Sequence, residues 1–538
     1  MKTLRPSPLA LVSCLALFMA LPSSPAAAQP VAVSPVFQVN TYTEGDQLAS
    51  DVASNGNGRF VVVWHSGRVY EPGPTQDGSG YGVFARVFDA SGTPIGAEIP
   101  VSQTTAGNQD ESAVAMDPDG GFVIVWRSET PVTFESRIFG RRFDPPGAPL
   151  GSEFVVSDAP PANDFHPAIA MDGEGRFVVA WKRYGPEPEE EEVLARRFDA
   201  AGSPLGAPFE VSVDAGGLPD YPAVAVSPAG DFSVIYEVYG LLPGRDGGLL
   251  ARRFTASGEP VGDAAVLDVP PRFRPLVPEA AARPDGSAVV TWFDGGAIFG
   301  RLLDPAGAPQ GLAFPVSTSP GDVANPQVAV DAAGGFLIVW SKLDEQVNGL
   351  GVFGQRFTAS GARQGVEFRL DTGLAPAVGG LAATIAPNGD FVAVWTAGRQ
   401  REVNGPDGSG YGVFARLFRL PPLGADACVA GDGHLACDTL RDGGDSDLDL
   451  DLAAEPGDLP LAGNLDGDVR DDLCLYRDGL FLCDTAHDGG SPEVTIAFGG
   501  AAVDVPLLGD VNGDGRDDAC LRRRRRFLCD TAHNGATA

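Results

Sequence analysis

Two runs of oxygen-bearing side chains near the C-terminal end have the spacing of a cation-binding loop. Asp510, Asn512, Asp514 and Asp518 follow the pattern D-x-N-x-D-G-x-x-D, with Gly515 at the sharp bend. Asn464, Asp466, Asp468 and Asp472 repeat it, with Val469 where the glycine is expected. Alternate side chains, together with the backbone carbonyl of Arg516 or Arg470, can surround a hard cation with roughly six or seven oxygens, which suits Ca2+. The flanks read as strands, so no EF-hand is implied.

Cysteines punctuate the same region. Cys428, Cys474 and Cys520 recur every 46 residues, and each is followed nine residues later by Cys437, Cys483 or Cys529. Asp432-Gly433 and Asp478-Gly479 at the centres of the first two intervals are two-residue hairpin turns. Counting outward from such a turn sets the cysteines opposite each other at a non-hydrogen-bonded pair, where disulfide geometry is met. Three local cross-strand disulfides are expected. In the last hairpin Arg522 to Arg526 replaces the Asp-Gly turn, an exposed basic run rather than a polyanion grip.

The DVNGDGRDD loop, with Phe498-Gly499-Gly500-Ala501 and Asp504-Val505-Pro506 ahead of it, resembles the FG-GAP/VCBS repeats of integrin-alpha-like propellers. That resemblance implies calcium sites that rigidify a blade and a role in adhesion or ligand binding. Two loops and three hairpins are too few for a full ring.

The rest of the chain must present whatever else binds. All six tryptophans, Trp64, Trp126, Trp181, Trp292, Trp340 and Trp395, end runs of the type Phe-Val-Val-Val-Trp, and Tyr236 fills the one empty slot. The spacings are 62, 55, 55, 56, 48 and 55 residues, so the unit is counted seven times. A fixed period of this length means a repeat architecture. Each unit reads as four short strands with tight turns such as Asp119-Gly120, which is the signature of a β-propeller blade. The seventh unit lacks a fourth strand after Gly412 to Phe418, while Val36 to Asn40 resembles a fourth strand with no unit before it. One surplus and one deficit cancel if the N-terminal strand completes the ring and removes its open edge. The expected fold class is therefore all-β, a seven-bladed propeller closed by an N-terminal strand and followed by a small disulfide-bonded hairpin module. The expected domains are a signal peptide over 1–28, the propeller over 29–424 and the calcium-binding repeats over 425–538.

Within the units an arginine recurs on the third strand as Arg86, Arg141, Arg196, Arg252, Arg301 and Arg416, with Gln355 in unit six. Identical placement favours a structural role, lying over the tryptophan of the second strand or bonding neighbouring carbonyls, above an anion-binding ring. The loops after the Trp-ended strands vary, and variation on one face of a repeat scaffold marks the binding side. The longest belong to units one and seven, and both end in Asp-Gly-Ser-Gly-Tyr-Gly, Asp77 to Gly82 and Asp407 to Gly412. Tyr70, Tyr81 and Tyr411 supply stacking surfaces there and Arg399 and Arg401 supply charge, so these residues with Asp77 and Asp407 form the candidate ligand site. The units also resemble repeats of large secreted and surface proteins of bacteria, carried by the form FQVNT…GxFVVVW…DGSGxGxxxRFDxxG over residues 34–420. This resemblance implies an extracellular propeller or adhesin-like segment with no assigned chemistry.

Composition sets the compartment. Lys2 and Arg5, the apolar stretch Leu9 to Leu21 and Ala26-Ala27-Ala28 form a secretory signal cleaved before Gln29. No later apolar run spans a bilayer, and Cys14 comes too early for a lipoprotein anchor. Signal removal leaves six of the seven cysteines, an even number suited to an oxidising compartment. A formal charge of -33 argues against nucleic acid and anionic membrane as partners. Catalysis finds little support: His65 and His166 look isolated, and His487 and His533 recur in one structural turn. The leading reading is a secreted, calcium-stabilised propeller that recognises an extracellular glycan or protein. The alternatives are a glycoside-active enzyme with two carboxylates in the central funnel and an architectural surface or matrix component.

Overall fold

The computed structural model describes residues 30–419, apart from the segments 69–74, 158–162, 186–189, 214–216, 243–244, 269–276, 295, 319–322, 345–348, 373–376, 387–388 and 399–409. Beyond residue 419 it describes the backbone of ten strands. The described chain is all-β, and no helix in it is long and apolar enough to cross a membrane.

Strands form where Val, Ile and Phe alternate, and turns form where Asp, Asn and Gly intervene. In unit one Asp46–Ser54 is the inner strand, followed outward by Phe60–Gly67, Gly82–Phe88 and Pro94–Pro100. Each following unit repeats this antiparallel order, with inner strands Asn108–Met116, Asn163–Met171, Leu218–Val226, Glu279–Ala282, Val323–Val330 and Ala377–Ile385. The second strand is buried on both faces, so its period-two alternation sends residues to two different neighbours. Phe60, Val62 and Trp64 pack with Val392, Val394 and Leu417 of unit seven. Val61 and Val63 pack with Trp126 and Phe143 of unit two. The same sharing joins units two and three, three and four, four and five, five and six, and six and seven. There is one apolar core for each neighbouring pair, and the sheets return on themselves in a β-propeller-like ring. Tyr236 is fully buried in the slot the other units give to tryptophan.

The N-terminal segment pairs with the outer edge of unit seven. Phe37 and Gln38 stand opposite Ala415 and Phe414, and Val31 and Ala32 stand opposite Arg419 and Phe418. Its polar bonds repeat those inside the other units. Val413 N donates to Asn40 Oδ1 at 2.8 Å, as Ile138 N does to Ser157 Oγ at 3.0 Å and Val193 N to Ser212 Oγ at 3.0 Å.

The third-strand arginines act between units. Arg86 Nη1 donates to the Val39 carbonyl at 2.9 Å, Arg141 to Val101 at 2.9 Å, Arg196 to Val156 at 3.0 Å, Arg252 to Val211 at 2.9 Å and Arg416 to Leu370 at 3.1 Å. Arg301 reaches the Leu267 carbonyl in the same way. Each acceptor lies in the outer strand of the preceding unit or just past its end. The guanidinium of Arg86 also lies 5.6 Å from the Phe88 ring centroid, and Arg141 and Arg196 repeat that contact on Phe143 and Phe198. The expectation of a second-strand tryptophan beneath each arginine is corrected: the ring is the phenylalanine two residues on in the same strand, which period-two alternation puts on the same face as the arginine. The ring of arginines is thus a ring of staples.

In the C-terminal region Cys428 is in register with Cys437, Cys474 with Cys483, and Cys520 with Cys529. Gly431 and His434 close the first hairpin around a two-residue turn.

Candidate functional site

The inner strands share an irregularity that aims side chains at the face carrying the long loops. Register slips between Asp110 and Ala113, Phe165 and Ala168, Asp220 and Ala223, and at the matching point of units one, six and seven. The residue in the slip adopts a left-handed backbone: Glu111 at φ 48°, His166 at 51°, Tyr221 at 44°, Asn325 at 53° and Gly380 at 55°. A bulge of this kind re-aims a side chain, and for a non-glycine residue the left-handed region costs about 1 kcal/mol or more. Units two, three and four fill the position with Glu, His and Tyr, and units six and seven with Asn and Gly. The chemistry-bearing side chains are therefore gathered on one arc of the rim.

Their geometry is tightly coupled. His166 N donates to Glu111 Oε2 at 2.7 Å, His166 Nδ1 lies 2.9 Å from Asp220 Oδ1, and the imidazole stacks on Tyr221 with centroids 4.3 Å apart. Asp220 Oδ1 also accepts from Tyr221 N at 2.8 Å. Arg127 grips Asp110 through Nε at 2.7 Å and Nη2 at 2.8 Å, and its guanidinium sits 4.7 Å over the Phe165 ring. Phe165 meets Tyr184 edge-on at 5.2 Å. The fully buried Lys182 donates to Glu191 Oε2 and to the Pro219 carbonyl, both at 2.5 Å, and its ammonium lies 4.5 Å from the Tyr184 centroid.

Environment separates the two carboxylates flanking His166. Burial pushes Glu111 above the usual carboxylate range. Burial acts on Asp220 in the same sense, but the His166 hydrogen bond, the His166 charge and Lys182 outweigh it and hold Asp220 low. Burial, with the Asp220 charge behind it, pushes Tyr184 up to about 12. Burial and then a hydrogen bond to Glu237 push Tyr239 upward as well.

Two further carboxylates, Asp51 of unit one and Glu279 of unit five, share one inner-strand position, the one held by Ala113, Ala168 and Ala223 in units two, three and four, two residues past the left-handed position. Asp51 accepts from Val52 N at 2.8 Å and Val114 N at 2.9 Å, and burial raises it to about 6. Glu279 accepts from Gln327 Nε2 at 3.0 Å, and burial and then the charge of Asp51 raise it to about 7. At the opposite, short-turn end a cavity of about 420 Å³ is lined by residues of all seven units, including Asn55, Pro118, Asp172, Pro228, Arg283, Asp331 and Ile385. A second, of about 450 Å³, opens at the seam of units one and seven between Asn57, Ser91, Thr384, Asp390 and Arg419.

Of the residues chosen from sequence, Tyr70, Arg399, Arg401 and Asp407 lie outside the described residues. Asp77 Oδ1 accepts from Ser79 N at 3.0 Å, which is the bond of a local turn. Tyr81 meets His65 edge-on at 5.0 Å, and burial drives His65 down to about 4. Tyr411 N donates to Asp46 Oδ1 at 3.4 Å. Neither cavity is lined by Asp77, Tyr81 or Tyr411. The loop residues 464–470 and 510–517 of the calcium patterns lie outside the described residues, and of Asp472 and Asp518 only the strand backbone is described. Among the described residues no group of three or more His, Cys, Asp or Glu side chains is placed to hold a metal.

The reading of His166 as isolated is corrected: its partners, Asp220 and Glu111, are 54 and 55 residues away, one repeat in either direction. A signal was present in Phe165-His166-Pro167 and Asp220-Tyr221-Pro222, where a large side chain precedes proline at the same repeat position.

No protein-family model and no curated protein matches the chain. Solved structures do. A protein of unknown function from Dyadobacter fermentans aligns at 9% identity and a TM-score of 0.44, covering 73% of this chain and 99% of that one. An alpha-L-arabinanase from Penicillium chrysogenum, complexed with arabinobiose, aligns at 11% identity and 0.41, covering 74% and 99%. A Hadza microbial sialidase aligns at 12% identity and 0.41, covering 72% and 96%.

Proposed function

We propose that the protein is an exported seven-bladed propeller that recognises a glycan through the inner rim of units two to four. The observation that carries this reading is the alternation of aromatic rings and carboxylates along that rim. His166, Tyr221, Phe165 and Tyr184 supply flat faces for sugar rings, while Glu111, Asp220 and Glu237 supply hydroxyl acceptors. That mixture of apolar lining and a few placed polar groups is the usual make-up of a small-molecule site. The left-handed backbone at Glu111, His166 and Tyr221 supports the same reading, because strain of this kind concentrates at ligand clamps.

A second reading, a glycoside-active enzyme, is favoured by one observation. Glu111 and Asp220 flank one histidine and are pushed in opposite directions, the pattern that separates a proton donor from an ionised partner. In both readings the C-terminal repeats are proposed to hold Ca2+ through Asp510, Asn512, Asp514 and Asp518 and through Asn464, Asp466, Asp468 and Asp472, with three hairpin disulfides.

The test is a glycan array probed with the mature protein in calcium and in EDTA. Binding to a defined sugar class, lost in His166→Ala and Tyr221→Ala, supports recognition at the rim. Release of reducing ends from the bound sugar moves the assignment to the enzyme. A silent array under both conditions sinks the glycan reading.

A further inference from the structure

We propose that the seam between units seven and one binds the guanidinium of an arginine-bearing polypeptide, at a site apart from the rim and independent of the glycan reading. The seam cleft has a counterpart between units three and four. There Arg176, Phe177, Arg197, Phe198 and Ala256 surround it, and only about 20 Å³ is left empty. At the seam the matching residues are Asp390, Phe391, Leu417, Phe418 and Ala90, and they surround about 450 Å³.

Arginines account for the difference. Arg142 Nη1 donates to the Ala201 carbonyl of the next unit at 2.7 Å, and Arg197 Nη1 to the Ala256 carbonyl at 2.6 Å. Unit five has Leu302 at that strand position, and Arg283 reaches across from the first turn instead, with Nη2 2.6 Å from the Ala359 carbonyl. All three acceptors lie in the turn between the third and fourth strands, where unit one has Ala90 and Ser91. Units one to six each place an arginine at the strand position, or at the first or fifth residue of the turn between the first and second strands: Arg59, Arg142, Arg197, Arg253, Arg283 and Arg356. Unit seven has Leu417, Ala386 and Asp390 at those three positions. No described residue donates to the carbonyl of Ala90 or Ser91. Arg419 lines the mouth, but its Nε lies 3.7 Å from Asp390 Oδ2 and its side chain is 63% exposed, so the cavity remains beside it.

The seam therefore keeps the walls of a guanidinium slot and lacks the guanidinium. An arginine entering from outside runs its methylenes along Val33, Leu417 and Phe418 and brings its fork of donors to two turn carbonyls. Charge favours the same occupant, because a formal charge of -33 draws a basic partner to the chain.

The experiment is calorimetric titration of the full chain with the capped peptide acetyl-Gly-Arg-Gly-amide, its citrulline counterpart and free arginine. The arginine peptide is expected to bind at least about tenfold more tightly than the citrulline peptide, which keeps the shape and loses the charge. Leu417→Arg, which rebuilds the arrangement of units two and three, should abolish that binding. Ala386→Arg, which copies Arg283, serves as the second variant if the first unfolds. Binding retained by a folded variant of either kind, equal binding of the citrulline peptide, or no binding of the arginine peptide at millimolar concentration overturns the proposal. Free arginine binding as tightly as the peptide overturns the choice of a polypeptide as the occupant.

Discussion

Arg363 Nη1 donates to Gln355 Oε1 at 3.0 Å, and the same guanidinium reaches the carbonyls of Val316 at 2.7 Å and Pro315 at 2.8 Å. Gln355 is the one third-strand position that lacks the arginine, and its amide is too short to cross to unit five. Arg363 arrives from the adjacent outer strand and delivers a guanidinium to the very carbonyl the missing arginine would have served. The inter-unit bond is preserved while its donor has moved along the sheet.

Arg363→Ala should therefore destabilise the protein by roughly 1.5–3 kcal/mol, the range for a charged hydrogen bond whose loss strands a buried acceptor. Adding Gln355→Arg to that variant should restore most of the loss. Urea unfolding midpoints of the single and double variants check the pair. Additive losses would mean the two side chains do not share one role.

One buried amide side chain supports the ring closure. Asn40 is 2% exposed, accepts from Val413 N and donates to Gln47 Oε1 at 3.1 Å. Asn40→Ala should cost about 2 kcal/mol by leaving buried partners unmet. Hydrogen exchange should accelerate first in Tyr411–Arg419, and uniform acceleration across all units would count against a local seam.

Asp51 and Glu279 impose a slope on stability against pH. Both folded-state values, about 6 and about 7, lie above the ordinary carboxylate values of 3.8 and 4.5. Between those limits the folded chain holds more protons than the unfolded chain, so stability falls as pH rises. Each group contributes on the order of 3 kcal/mol to that fall between about pH 4 and pH 7. Asp220 and Glu367, held low, act in the opposite sense, and their contribution is lost as acid protonates them. Melting temperatures from pH 4.5 to pH 8 should decline, and Asp51→Asn with Glu279→Gln should flatten the decline.

The proposed calcium loops predict a chelation effect confined to the hairpin region. EDTA should lower the protection of Asp518–Arg523 against exchange and leave Phe60–Gly67 unchanged. Asp510→Asn combined with Asp514→Asn should reproduce the EDTA result at saturating calcium. No response to either would remove calcium from the account.

Much of the ring was readable because burial imposes a period. Trp64 and its counterparts mark the second strands because that strand is buried on both faces between neighbouring units and this position takes its largest side chain. The N-terminal completion of unit seven was readable from counting strands. The site was not, because it depends on contacts one repeat apart between His166, Glu111 and Asp220, and periodicity treats those positions as equivalent. The regularity of the loop hexapeptide at Asp77 belongs to its turn. Gly82 beside Asp77 makes the point, since a Cβ there would lie 2.6 Å from the Asp77 carboxylate.

The bond between Asn40 and Val413 joins residues 373 positions apart. Translation proceeds at about 5–20 residues per second, so the first strand made waits roughly 20 to 75 s for its partner to be made. Until unit seven is made, unit one presents an uncovered sheet face, and so does whichever unit was completed last. Such non-local pairing makes for slow folding. The nascent chain therefore has a built-in period in which it is both unfinished and adhesive, and anything that holds it extended until residue 419 has emerged would improve its yield.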